Sequence, residues 1–84
     1  MRFVVSTRFA RRAKKLKSPH DELLRAALRR FATDPRDPML HTHKLKGELE
    51  GYWAFWVDDD LRVLFRWDGE VCFLVNLGGH DEVY

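Results

Sequence analysis

Asp68-Gly69 stands between two runs dense in β-branched and aromatic residues, Leu61-Arg-Val-Leu-Phe-Arg-Trp67 and Glu70-Val-Cys-Phe-Leu-Val-Asn-Leu77. An Asp-Gly pair in that setting is the strongest short hairpin signal, because a type I′ turn needs positive φ at both central residues. A third run of the same kind, Gly51-Tyr-Trp-Ala-Phe-Trp-Val57, precedes the pair, with Asp58-Asp59-Asp60 as the break. Three such runs separated by turn residues predict an antiparallel meander. The rest of the chain must then cover this sheet.

Before the meander the period changes. Arg2 to Ser6 alternates around Phe3 and Val5 and predicts a short first strand, with Ser6 or Thr7 placed to cap a helix. Phe9, Ala10, Ala13 and Leu16 form a helical stripe over Phe9 to Lys17. Ser18-Pro19-His20-Asp21 reads as the start of a second helix, Ser18 as N-cap and Pro19 at the first position. Leu24, Ala27, Leu28 and Phe31 then recur on one face until Asp34-Pro35 ends it. The joint is so short that the two helices should form a hairpin lying on the sheet. The expected fold is α+β, β-α-α-β-β-β, in one domain over residues 1–84. Residues 36 to 49, broken by Pro38 and Gly47, are either an exposed loop or a brief alternating stretch with His41, His43 and Leu45 on one side and Lys44 and Lys46 on the other.

Eighty-four residues bury only about 60–65% of the surface of the unfolded chain, so the core must be thin. No apolar run reaches the roughly 20 residues of a membrane span, and the first residues lack the pattern of a signal peptide. The single cysteine, Cys72, falls in a strand and suits a buried small hydrophobe. A cytoplasmic protein with no membrane partner is expected. Charge is unevenly spread: residues 1–46 hold thirteen Lys and Arg against four Asp and Glu, whereas residues 47–84 hold two against nine. A basic half fits a polyanion, and it equally fits helix surfaces kept soluble by Lys and Arg.

Alternation places Leu61, Val63, Phe65 and Trp67 on one face, with Arg62, Leu64 and Arg66 on the other. In the next strand Val71, Phe73, Val75 and Leu77 oppose Cys72, Leu74 and Asn76. The all-apolar sets are expected under the helices, which leaves Arg62 on an open face. Near that face the sequence offers His43 with Lys44 and Lys46, His80 after a glycine pair, and Tyr84. A proton acceptor, a fixed cation and a proton donor suffice for RNA cleavage without a metal. The ribose 2′-hydroxyl attacks its own phosphate, and a guanidinium stabilises the added charge. Histidine titrates near neutrality, and arginine offers phosphate a planar, permanently charged fork. Each residue also has a plainer role. Arg62 could pair with Asp58, Asp59, Asp60 or Glu70, the histidines could be solvated, and Tyr52, Trp53 and Trp56 could be packed core. His41, His43, His80 and Asp81 match no zinc spacing, so no metal or other cofactor is expected.

The segments His43-Lys-Leu-Lys-Gly-Glu-Leu-Glu-Gly-Tyr-Trp53, Leu61-Arg-Val-Leu-Phe65 and Gly79-His-Asp-Glu-Val-Tyr84 resemble the RelE/ParE toxin superfamily, especially its YoeB- and YafQ-like ribonuclease branches. The resemblance spans most of the chain. It implies a toxin that cleaves mRNA in the ribosomal A site and is neutralised by a cognate antitoxin. It implies His43 as base, Arg62 on the scissile phosphate, and His80 as acid or charge stabiliser. Tyr84 would be the terminal aromatic that orients a base or the phosphate, and Lys44 and Lys46, with Arg66 on the same strand as Arg62, would be RNA contacts. The basic helices would meet ribosomal RNA or the antitoxin. Two positions depart from the YafQ-like pattern: Asn76 replaces an arginine and Trp56 a histidine. Two other readings share the fold: a ParE-like toxin that inhibits DNA gyrase without cleaving RNA, and a member that only binds its antitoxin.

Overall fold

The computed structural model describes all 84 residues. Strand β1 (Arg2–Val5) leads into helices α1 (Thr7–Lys14) and α2 (His20–Thr33). Four more strands follow, β2 (His43–Lys44), β3 (Trp53–Trp56), β4 (Arg62–Trp67) and β5 (Val71–Gly78), and a one-turn helix α3 (His80–Val83) completes the chain. The sheet runs β1-β5-β4-β3-β2. The α+β architecture with both helices over one sheet face is the expected one. Three features add to it. β1 joins as a parallel edge strand on β5, so the sheet is mixed rather than antiparallel throughout. β2 forms a two-residue edge against β3. α3 was not foreseen.

The helices sit as their stripes require. Ser6 caps α1: its Oγ accepts from Phe9 N–H at 3.0 Å and donates to the Val75 carbonyl at 2.8 Å, which pins the helix to β5. α1 ends at Lys14 rather than Lys17, and α2 starts at His20. Ser18 is not its N-cap; the Ser18 hydroxyl donates to Glu22 instead. Phe9, Leu24, Ala27 and Phe31 meet Phe55, Val63, Phe65, Cys72, Leu74 and Leu77 in one core. Phe31 is its centre, fully buried, with the rings of Phe55, Phe65 and Trp67 at 5.1, 5.0 and 5.5 Å. Burial pushes the Cys72 thiol up to about 12, so it stays protonated and acts as packing.

The alternation of β5 differs from the expectation. Leu64 pairs with Asn76 but Phe65 pairs with Leu74, so Val75 is an extra residue, a β-bulge. One inserted residue reverses the phase of everything before it. Cys72 and Leu74 therefore join Leu77 in the core, and Phe73 turns to the opposite face, where it is 43% exposed. The β4–β5 turn also shifts. Only Gly69 has positive φ, 98°, and Asp68 serves as an acceptor, its Oδ1 taking the N–H groups of Glu70 and Val71.

Candidate active site

Register fixes which groups share the face opposite the helices. His43 lies across from Ala54, which pairs with Leu64 and then Asn76. The neighbouring row is Trp56, Arg62 and Gly78. At strand spacings of about 4.8 Å and a rise of about 3.3 Å per residue, the Cα atoms of His43 and Arg62 stand roughly 12 Å apart, with both side chains on one face.

That face is not open as expected. α3 folds back over it: the Asn76 amide donates to the Glu82 carbonyl at 3.4 Å, and Val83 is buried. Asn76 itself is buried, and its Oδ1 accepts the N–H of Leu77, so it brackets the C-terminal turn. Arg62 is accordingly only 8% exposed. Its guanidinium carbon lies 4.0 Å from the Trp56 ring centroid, and its Nη1 donates to the Asp58 carbonyl. No carboxylate lies within ion-pair distance of it, so the anticipated pairing with Asp58, Asp59, Asp60 or Glu70 is not formed. The Asp58 carboxylate is engaged elsewhere, by the N–H groups of Asp60 and Leu61 and by His20 at 3.2 Å. Its burial would raise its pKa, but those N–H groups, His20 and the Arg62 charge outweigh burial and hold the carboxyl below its usual value.

The C-terminal turn holds two of the candidate residues, Tyr84 close enough for the Arg62 charge to act on it and His80 beside Tyr84. The His80 and Tyr84 rings meet edge to face at 4.6 Å, and His80 is exposed beside Asp81. Burial raises the Tyr84 phenol above its ordinary pKa, against the opposing pull of the Arg62 charge. Tyr84 is therefore a neutral hydroxyl at physiological pH, suited to donate a hydrogen bond and not to act as a base.

His43 is exposed on edge strand β2, and its Nδ1 lies 2.7 Å from the His41 carbonyl oxygen. A carbonyl only accepts, so Nδ1 carries the proton of the neutral ring and Nε2 keeps its lone pair. His41 adopts left-handed φ, 51°, which aims that carbonyl, and its own ring stacks on Trp56 at 3.9 Å. Trp56 thus touches both the residue that orients His43 and the guanidinium of Arg62. By residue type alone His41 reads as a solvated histidine and Trp56 as packed core, so neither contact is legible from the chain.

The three remaining candidates are not gathered here. Lys44 pairs with Trp53, so its side chain lies on the helix side, 5.3 Å from that ring. Lys46 is exposed in the turn before a short 3-10 segment, Gly47–Leu49. Arg66 shares the face with Arg62 but sits four residues along β4, over Tyr52. No three His, Cys, Asp or Glu side chains cluster as metal ligands do.

This fold, two helices over a sheet whose far face is crossed by a C-terminal turn, is the one shared by RelE-like toxin structures. The sequence profile of the YafQ toxin family, "bacterial toxin of type II toxin-antitoxin system, YafQ", matches residues 1–84, and the chain belongs to that family. Among solved structures, YafQ from E. coli strain BL21(DE3) superposes with a TM-score of 0.83 at 16% identity, covering 100% of this chain and 99% of that one. A YoeB/ParE toxin from Agrobacterium tumefaciens gives 0.78 at 18% identity, over 95% and 99%. The toxin–antitoxin complex RelBE2 from Mycobacterium tuberculosis gives 0.63 at 23% identity, over 94% and 96%. No curated protein matches by sequence.

Proposed function

We propose that this toxin is an endoribonuclease that cleaves mRNA on the ribosome and so stops translation. The observation that carries the reading is Arg62, free of any carboxylate partner, close enough to Tyr84 for its charge to act on the phenol, with His80 against the Tyr84 ring and His43 on the same sheet face, its Nδ1 held by the His41 carbonyl. In this reading Nε2 of His43 takes the proton of the ribose 2′-hydroxyl as its oxygen attacks the adjacent phosphorus. The bond from phosphorus to the 5′ oxygen breaks, and protonated His80 supplies the proton that the leaving oxygen needs. A 2′,3′-cyclic phosphate and a 5′-hydroxyl result. Arg62 meets the charge that builds on the phosphorane, in a setting where Trp56 and α3 exclude most water and strengthen the interaction. Tyr84 donates to a phosphate oxygen. The scheme draws on no metal ion and no cofactor.

Lys46 and Arg66 are then backbone contacts away from the cleaved bond, while Lys44, on the helix side of the sheet, falls outside the RNA path expected for it. Arg8, Arg11, Lys14, Lys15 and Lys17, none of them in an ion pair, are available to ribosomal RNA or to an antitoxin segment. A cognate antitoxin is the expected protein partner, in keeping with the toxin–antitoxin assembly of the RelBE2 relative.

Arg62→Ala and His80→Ala should each abolish growth inhibition while the protein stays folded, and primer extension after induction of the wild type should show new mRNA ends in the A site. Full toxicity in both variants would refute the assignment. DNA damage with intact message would point to gyrase inhibition instead.

A further inference from the structure

One row of the same face enters the scheme above only through Arg66. Arg66 pairs directly with Phe73 across β4 and β5, and the register of β3 brings Tyr52 opposite Arg66 on the other side. The result is aromatic, guanidinium, aromatic across three strands. Arg66 Cζ stands 5.5 Å from the Tyr52 ring centroid, and no carboxylate pairs with it. Phe73 owes its 43% exposure to the bulge at Val75, which turned it out of the core. Beside the row is a cavity of about 400 Å³ lined by Gly51, Arg66, Trp67, Asp68 and Phe73. Asp68 also lines the cavity, its Oδ1 accepting the N–H groups of Glu70 and Val71, which keep the carboxylate charged. The row lies four residues from Arg62 on the same strand and face, roughly 13 Å away.

We propose that Tyr52, Arg66 and Phe73 form a stacking platform for an unpaired RNA base near the cleaved phosphodiester, with Arg66 held for that nucleotide's phosphate. The proposal rests on the ribonuclease reading for the direction of the strand, which would run along β4 from Arg62. The chemistry favours RNA over a peptide. Flat rings exposed on a sheet are how single-stranded RNA is commonly gripped, and a guanidinium can stack on a base or pair with its phosphate. A peptide added to a sheet uses a free strand edge, and β4 and β5 are both interior strands.

The test uses 2′-O-methyl oligoadenylates, which cannot be cleaved, of two and five nucleotides. Fluorescence anisotropy at low salt measures their binding to the full chain. Phe73→Ala should weaken the pentanucleotide about tenfold, the size of one lost base–aromatic stack, and leave the dinucleotide unchanged. Phe73→Trp should restore binding. Phe73 is exposed, and matching thermal melts establish that both variants remain folded. Pentanucleotide binding that ignores Phe73, or no binding by the wild type, overturns the platform. So does intact RNA binding with loss of antitoxin co-purification, which would assign the row to protein contact. Phe73-dependent binding by a wild type that cleaves no mRNA would keep the platform and remove the nuclease reading.

Discussion

Gly78 is where a single methyl group should disarm the toxin without unfolding it. A Cβ added there would lie 2.8 Å from Nη1 of Arg12 and 2.9 Å from Cβ of Glu82. The first contact is with the end of a flexible side chain and can be relieved by rotation. The second is with an atom fixed to the backbone of α3, so the helix itself must move. Overpacking of this kind costs about 1–3 kcal/mol. Opposing it are the burial of Val83, worth about 1.5–2 kcal/mol, and the modest hydrogen bonds from Asn76 to Glu82 and from Gly79 N–H to Glu82 Oε1. The two sides are of similar size, so Gly78→Ala should shift α3 largely to an undocked state while the sheet and main core, which lie elsewhere, hold. Hydrogen exchange would show this as faster exchange at Glu82 to Tyr84, with the urea midpoint changed little. Cleavage and growth inhibition should fall about as far as in His80→Ala, since His80 and Tyr84 leave the sheet face together. Unchanged protection at Glu82 to Tyr84, or global unfolding in place of local release, would refute the reasoning.

Two further outcomes follow from the site. Nitrogen-15 shifts of His43 in the neutral protein should show a protonated Nδ1 and a bare Nε2. His41→Gly, which accepts φ near 51° freely, should keep that tautomer, whereas His41→Val, strained there by about 1–3 kcal/mol, should lose it and lower cleavage several-fold. The Asp58 carboxyl is held below its ordinary value of 3.8 in the folded protein, so its stabilising contribution is complete above that value and is lost as pH falls through the folded pKa. Urea titrations should show wild type more stable than Asp58→Asn at pH 6, with the gap closing below about pH 4.

The helical stripe through Leu24, Ala27 and Phe31 was legible because its period persists over two turns, and the β4–β5 hairpin because Asp68-Gly69 punctuates two clear strands. The bulge was not. Val75 is as good a strand residue as its neighbours, and no glycine or proline marks the extra position, so the period-two reading ran straight through it. α3 was illegible for a different reason: four residues hold no helical repeat, and what docks them is Asn76 and Val83 meeting across the sheet. With α3 unseen, Arg62 read as open when it is nearly covered. His43 could be singled out by residue type, but the carbonyl that sets its tautomer depends on the backbone turn at His41, which composition does not record.

The pairing of β1 with β5 ties Arg2 to Val71 and Ser6 to Val75, residues 69 apart. Contacts of such long sequence separation form late. Until the fifth strand is in hand, the first has no neighbour and α1 lacks the strand it packs on. A chain interrupted before residue 71 is therefore a substrate for proteases rather than a half-strength poison. A cell that makes such fragments is spared their effect by topology alone.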